Sequence, residues 1–372
     1  MARFDRYMLS QLLVLFGFFS LILVLVYWIN RAVSLFDAIL GDGQSALVFV
    51  ELTLLTLPGI IRIVIPLAGF AAAVYVTNRL SSESELTVVQ ATGYSPLRLA
   101  RPVVVFGLFV AALGLVLTHI LVPMSTERLK DREAELSRNM TARLLTPGEF
   151  TTPGSGTTFY IRDITPEGEL RDIFLSDSRD PAATLTYTAG SAYLVRTEFG
   201  PQLVMLDGLV QRLDRASERL TTSTFKDFAY DIGALIPAED GRRRSYDELT
   251  TGALLTATPA VLDEVRRSPA DLRALVHERS AEAALGLVGP LLGFAALMVG
   301  GFSRFGLGRQ MLLAVMLVVI VKVLESIGTK AARSDPTLWP MLYLHILAGL
   351  AMAASCLAWA IRPRRVRKAV PA

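Results

Sequence analysis

Six stretches of this chain are nearly free of charge, and together they constrain its fold more than any other feature. Residues 8–29 contain no Asp, Glu, Lys or Arg, and 52–76 contain only Arg62. Residues 103–122 and 283–302 contain none; 311–327 carry only Lys322 and Glu325; 338–361 carry no formal charge, only His345. About 20 apolar residues cross a hydrocarbon core of roughly 30 Å as a helix, so six transmembrane helices are expected. Buried core helices of a soluble protein are the alternative. Composition opposes it: 19% of the 372 residues are charged, against roughly 25% in ordinary soluble domains. The first stretch follows Arg3 and Arg6, as a signal peptide would. Its length, and its exit through Tyr27, Trp28, Asn30 and Arg31, make it a retained anchor with an interfacial aromatic pair.

Lys and Arg near the span ends set orientation. One set of ends gathers twelve: Arg3, Arg6, Arg79, Arg98, Arg101, Arg304, Arg309, Arg362, Arg364, Arg365, Arg367 and Lys368. The opposite set has three: Arg31, Lys330 and Arg333. Both termini are expected in the cytoplasm, and the long segment between spans 3 and 4 outside, in the periplasm of a Gram-negative cell. A net charge of +3 implies no nucleic-acid partner. One Cys excludes an intrachain disulfide, and one Cys with three His argues against a structural zinc site.

Three regions follow: 1–123 with spans 1–3 and a short cytoplasmic helix over 81–95; 124–276 as an outside domain with flanking helices; 277–372 with spans 4–6 and a basic tail. Within the second, runs at 157–164, 170–177, 184–188, 192–197, 202–206, 209–214, 219–225 and 226–232 have strand character and are separated by Gly, Pro and Asp. Short strands at this spacing indicate an all-β sandwich, jelly roll or barrel-like sheet. Helices resume after Pro237, with a capping box at Ser245-Tyr246-Asp247-Glu248 and cap–proline pairs at Thr258-Pro259 and Ser268-Pro269. The run His277-Glu278-Arg279 reads as a solvated helix face rather than an acid–base group.

No Ser-His-Asp or Cys-His arrangement is present, and the chain lacks even one Gly-Lys dipeptide, so it has no phosphate loop. It is not expected to be an enzyme. Energy for any transport would come from another chain or from ions, and Arg62 with the Lys322/Glu325 pair is a sparse set for an ion-coupled carrier.

The segment between spans 2 and 3 reads Leu80-Ser81-Ser82-Glu83-Ser84-Glu85-Leu86-Thr87-Val88-Val89-Gln90-Ala91-Thr92-Gly93-Tyr94-Ser95-Pro96. Ser and Glu suit a helix start, Gly93 its stop, and Pro96 prevents its continuation. By pattern alone it is an ordinary loop helix. The run from Ser84 to Gly93, the two prolines Pro58 and Pro66 in the preceding span, and a β-domain set between two groups of three spans resemble the YjgP/YjgQ-type lipopolysaccharide export permeases, LptF and LptG. The opening Arg3-Phe4-Asp5-Arg6-Tyr7 is more similar to the LptF branch.

The resemblance implies a periplasmic β-jelly roll and a heterodimer with a homologous LptG-like six-span permease. It also implies a cytoplasmic ATPase dimer of the LptB kind, a periplasmic bridge of the LptC/LptA kind, lipopolysaccharide as substrate, and no cofactor. Glu85 would dock in a groove of the ATPase, with Leu86, Val88 and Val89 adding apolar contact and Gly93 ending the helix. A lipid headgroup carrying phosphates needs cations near the outer interface, which Arg31, Lys322, Lys330 and Arg333 could supply; Lys322 could equally pair with Glu325. Arg62, between two prolines, could bond the carbonyls they free. Phe16, Phe19, Leu23, Leu55, Ile63, Met316 and Ile320 are candidates for an apolar cavity wall, or plain helix packing. Gly289-x-x-x-Gly293 permits close helix approach. The alternatives are an LptG-like paralogue, a permease for another lipid, or a non-transporting membrane scaffold with a periplasmic binding domain.

Overall fold

A computed structural model describes residues 3–40, 46–143, 147–154, 156–166, 168–197, 200–215, 217–231, 244–299 and 307–361. Arg304 and the basic tail from Arg362 to Lys368 lie outside the described residues. Two units separate by packing: Met1–Leu129 with Arg244–Ala372, and Lys130–Arg243. The flanking helices after residue 244, expected with the outside domain, therefore pack with the helical unit.

Among the described residues, six helices are long and apolar enough to cross a membrane: Arg3–Val33, Ala46–Ser82, Pro96–Glu135, Pro269–Met298, Gly308–Ser334 and Pro336–Ile361. They are built from α1 (Arg3–Leu40), α2 (Ala46–Ser82), α4 (Pro96–Val116) continuing through a π-helical turn (Leu117–Leu121) into α5 (Val122–Arg143), α8 (Pro269–Met298), α9 (Gly308–Ser334) and α10 (Leu344–Ile361) behind a 3₁₀ segment (Pro336–Tyr343). The short α3 (Glu85–Ala91) joins α2 to α4, and α6 (Thr251–Leu255) and α7 (Pro259–Val265) lead into α8. Ser268 starts α8 with a reciprocal cap: its hydroxyl accepts from Asp271 N at 3.2 Å, and its own N–H donates to Asp271 Oδ2 at 2.9 Å.

The central helix is α8. Of its most apolar window 72% is buried within the protein, against 11–33% for the other five spans. Small residues let neighbours approach it. A Cβ on Gly286 would lie 2.7 Å from Ala111 N of α4, and one on Gly293 would lie 2.9 Å from Val74 Cγ2 of α2. The Gly289/Gly293 spacing thus faces α2. Helix α2 runs unbroken through Pro58 and Pro66. Each proline lacks an N–H for the carbonyl four residues earlier, so Pro66 leaves the Arg62 carbonyl without its helical donor.

The second unit contains one six-stranded antiparallel sheet in chain order, β1 (Phe150–Gly154), β2 (Thr157–Ile164), β3 (Leu170–Asp177), β4 (Ala183–Thr197), β5 (Gly200–Asp214) and β6 (Arg219–Asp231). The all-β expectation holds, and its connectivity is a meander. The last six expected runs merge into three strands of 13–15 residues. What reads as three breaks is one crease. Ladder pairing skips Arg162, Asp172, Gly190, Asp207 and Lys226, which form a row across β2–β6. Asp172 and Asp207 take positive φ of 49° and 47° there, and Gly208 leaves space that a Cβ would fill against Thr188 O at 2.4 Å.

The crease folds the sheet onto itself. Phe228 is registered through Met205 with Ala192 of β4, five residues from Tyr187. Five residues of strand span about 17 Å, yet the Tyr187 and Phe228 rings stack at 5.1 Å. Between the two halves lies a core of Phe159, Ile161, Ile173, Leu175, Leu203 and Met205, all buried. A sheet closing over its own core is the jelly-roll-like form that the resemblance implies.

Candidate functional site

A cavity of about 720 Å³ lies among α2, span 3, α8, α9 and α10, at the opposite end of the bundle from α3. Its charged wall follows from helical periodicity. On α9, Lys322, Glu325, Ser326, Thr329, Lys330 and Arg333 recur at i, i+3, i+4, i+7, i+8 and i+11 and share one face. On α8, Glu278, Arg279 and Glu282 do the same; α2 adds Gly59 and Arg62, span 3 adds Thr118, Val122 and Thr126, and α10 adds His345.

Most cations here already have a partner. Arg62 Nε lies 3.3 Å from Glu282 Oε1. Lys322 Nζ donates to Glu325 Oε2 at 2.7 Å, and Arg333 donates to Glu278 Oε1 at 2.7 Å. Arg279 is only 6% exposed and is held by main-chain oxygens, donating to Leu249 O at 2.8 Å and Asp247 O at 3.1 Å. Lys330 makes no ion pair among the described residues. His345 is 2% exposed and makes no side-chain–side-chain hydrogen bond among the described residues.

Beside the cavity, the π-helical turn carries His119. Its Nδ1 lies 2.6 Å from Thr251 Oγ1 of α6 and its Nε2 3.3 Å from Ser280 Oγ of α8. Thr118 Oγ1 donates to Gly114 O at 3.0 Å and lies 3.3 Å from Arg279 O. With Arg279, these contacts clamp residues 247–251 onto the spans. A buried guanidinium without a carboxylate needs several acceptors, and the folded-back turn supplies them.

Lys322, Lys330 and Arg333 are brought together here as headgroup candidates; Arg31 is exposed on α1 and does not line this cavity. Arg62 meets Glu282 rather than freed carbonyls, because a carboxylate on the adjacent helix neutralises its charge. The His277-Glu278-Arg279 run is not a solvated face. His277 stacks on Trp339 at 4.3 Å and its Nδ1 lies 2.9 Å from Tyr343 Oη, while Glu278 and Arg279 turn into the cavity wall. Sequence reading missed Glu278, Arg279 and Glu282 as lining residues, although their i, i+1, i+4 spacing at the head of span 4 carried the signal.

None of the apolar wall candidates lines this cavity. Phe16 is buried in the bundle, edge-on to Phe106 at 5.6 Å; Phe19 and Leu23 pack beside it. Leu55 is half-buried, and Ile63, Met316 and Ile320 are exposed.

At the other end, α3 is shorter than the 81–95 expected. Ser84 precedes it with φ of 62°, left-handed, and its hydroxyl makes no cap; Ser95 caps the next helix instead, accepting from Arg98 N at 3.4 Å. Gly93, at φ 91°, ends α3 as expected. Leu86 is 4% exposed and belongs to the chain's own core, with Val89 packed beside it. Val88 is 62% exposed. Glu85 is half-buried and accepts from Tyr7 Oη at 3.5 Å.

Six apolar spans, five of which line a charged cavity, interrupted between the third and fourth by an all-β unit, define a multi-pass membrane protein. The chain belongs to the lipopolysaccharide export system permease LptF/LptG family, which it matches over residues 6–362. It is 22% identical over 353 residues to an uncharacterized protein of Rickettsia prowazekii, covering 94% of this chain and 97% of that one. It is 26% identical over 200 residues to the lipopolysaccharide export system permease protein LptF of Escherichia coli K12, and equally to that of Shigella flexneri. Those alignments span 53% of each chain, about half the length of the LptF relatives.

Proposed function

We propose that this chain is the membrane-spanning subunit of an ATP-driven exporter that extracts lipopolysaccharide from the inner membrane and passes it to a periplasmic bridge. The charged cavity carries this reading, with Lys330 making no ion pair among the described residues. Lys322, Lys330, Arg333 and Arg62 line one cavity, where a phosphorylated lipid headgroup would meet them. Charged side chains inside spans cost about 2.5–3.5 kcal/mol each on insertion scales, so a cluster of them has a use beyond packing. The β-unit would lie in the periplasm and α3 in the cytoplasm, following the distribution of Lys and Arg.

Helix α3 would contact a cytoplasmic ATPase dimer through Glu85 and Val88. Leu86 and Val89 anchor it to the chain's own core. A second six-span permease would complete the membrane part, and a bridge protein would receive lipid from the sheet. Photo-crosslinkers placed at positions 330 and 31 test the site. Crosslinking to lipopolysaccharide from 330, on the cavity wall, and its loss on Lys322→Glu support the reading. Crosslinking from 31 alone, or from neither, overturns the cavity as the headgroup site.

A further inference from the structure

A second hollow lies at the other end of the bundle, beside the starts of α1 and α4 and the far ends of α8 and α10. It is an open groove of about 740 Å³. Two glycines set its position. Gly107 brings α4 so close to α8 that a Cβ there would lie 2.9 Å from Leu287 Cδ1, and a Cβ on Gly349 of α10 would strike Val288 of α8. Both neighbours are thus pinched onto one turn of α8. One turn further along, Leu291 lines the gap left between α4 and α10, whose side chains there include only Ala100 and Ala354 at the narrow positions. The lining is apolar except for Asp5 of α1 and Arg101 of α4. Asp5 is 7% exposed, Arg101 is exposed, and no ion pair joins the two. Both lie within six residues of a helix start, the level at which a lipid's headgroup meets its chains. From there the wall runs from Leu357 to Leu350, about 10 Å of helix, into the apolar zone.

We propose that this groove holds one zwitterionic glycerophospholipid of the surrounding membrane, with a primary ammonium in its headgroup. Its phosphate meets Arg101, its ammonium meets Asp5, and the upper part of one acyl chain lies along Leu291, Ala354 and Leu357. A carboxylate has about four acceptor sites, so Asp5 takes the ammonium alongside the partner it already has. A basic pocket between spans, by itself, favours anionic lipids. The buried acid beside Arg101 reverses that choice. An anionic headgroup brings a phosphate to Arg101 but no cation to Asp5, and a quaternary ammonium has no N–H to donate. A water-soluble ligand would find no polar partner along the rest of the wall. The site is separate from the charged cavity at the opposite end, and it requires only that the six spans lie in a bilayer. In the orientation proposed above, it faces the cytoplasmic leaflet.

The test titrates the full chain in detergent with phosphatidylethanolamine, phosphatidylglycerol or phosphatidylcholine and follows the first retained lipid by native mass spectrometry. Wild type is expected to retain phosphatidylethanolamine about tenfold more tightly than either other lipid, the worth of one charge-assisted contact. Asp5→Asn should erase that preference. Arg101→Gln should weaken all three lipids, which share the phosphate. Arg98→Gln removes the same charge from the same helix, where the guanidinium lies over the Tyr94 ring at 4.1 Å, and should change neither affinity nor preference. Ala354→Phe fills the groove from an exposed position and should abolish retention with an unchanged size-exclusion profile, which keeps the test decisive if Asp5→Asn does not fold. A wild type without preference or with one for phosphatidylglycerol, a preference that survives Asp5→Asn, retention that survives Ala354→Phe, or equal losses in Arg98→Gln and Arg101→Gln overturns the site. None of these outcomes bears on lipopolysaccharide crosslinking from position 330, so the export reading is decided separately.

Discussion

Tyr230 on β6 donates a 2.7 Å hydrogen bond to Asp177 Oδ2 at the end of β3, although β4 and β5 separate those strands in the sheet. Only the crease makes that reach possible. Arg179 also grips the carboxylate, at 2.6 and 2.9 Å. The Arg179 hydrogen bonds hold the Asp177 carboxyl far below its ordinary 3.8. Burial, reinforced by the hydrogen bond to Asp177, pushes the Tyr230 phenol up.

These shifts give the fold a pH dependence of definite sign. Because the folded carboxyl titrates below the unfolded one, its contribution is complete above the unfolded value of 3.8 and is lost as pH falls through the lowered folded value. Tyr230→Phe should remove about 1.5–3 kcal/mol, the usual worth of a hydrogen bond to a charged group. Hydrogen exchange on peptides from β6 should rise near neutral pH in this variant. The difference from wild type should shrink as pH falls below 3.8 towards the lowered folded value, where the native carboxylate protonates.

Contact between α4 and α8 depends on the missing side chain of Gly286. Gly286→Val would press against backbone at 2.7–2.9 Å, which no rotamer relieves; overpacking of this kind costs about 1–3 kcal/mol or more. Gly252→Ala, with nothing within 4 Å of the added carbon, should instead stabilise α6 by about 0.5–1 kcal/mol. Thermal denaturation in detergent, followed by size-exclusion recovery, separates the two.

The faces of α3 predict opposite phenotypes. Leu86→Asp places a charge in the helical core and should lower recovery of folded protein. Val88→Asp changes an exposed position and should leave recovery intact while weakening copurification of a cytoplasmic ATPase. A Val88→Asp chain that retains its ATPase in full would remove Val88 from the contact.

The spans were legible because hydrocarbon imposes one simple rule on composition. Strands β2 and β3 were legible to the residue, since their bounding turns carry Gly, Pro and Asp where the chain does reverse. In β4–β6 the same residue types mark a bend within a strand. Gly190 and Asp207 read as breakers, but local chemistry does not distinguish a turn from a crease; only cross-strand register does. The cavity was half-legible. Lys322, Lys330 and Arg333 stand out within one helix, whereas the Arg62–Glu282 pair joins residues 220 positions apart and required the packing of α2 against α8. On α3, the pattern of Leu86 and Val89 suits a partner's groove as well as the chain's own core, so sequence alone did not show that they pack inward.

Pro66 removes one backbone hydrogen bond from α2 a single turn from Arg62 of the cavity wall. From Pro66 to Ser82 the helix is uninterrupted, an arm of about 24 Å, and α3 follows two residues beyond its tip. Helices bend at proline in preference to elsewhere. A tilt of about 10° at Pro66 carries the tip about 4 Å, the product of that arm and that angle. A displacement of a few ångströms at the α3 end of that arm corresponds to a bend of about 10° one turn from the Arg62–Glu282 ion pair.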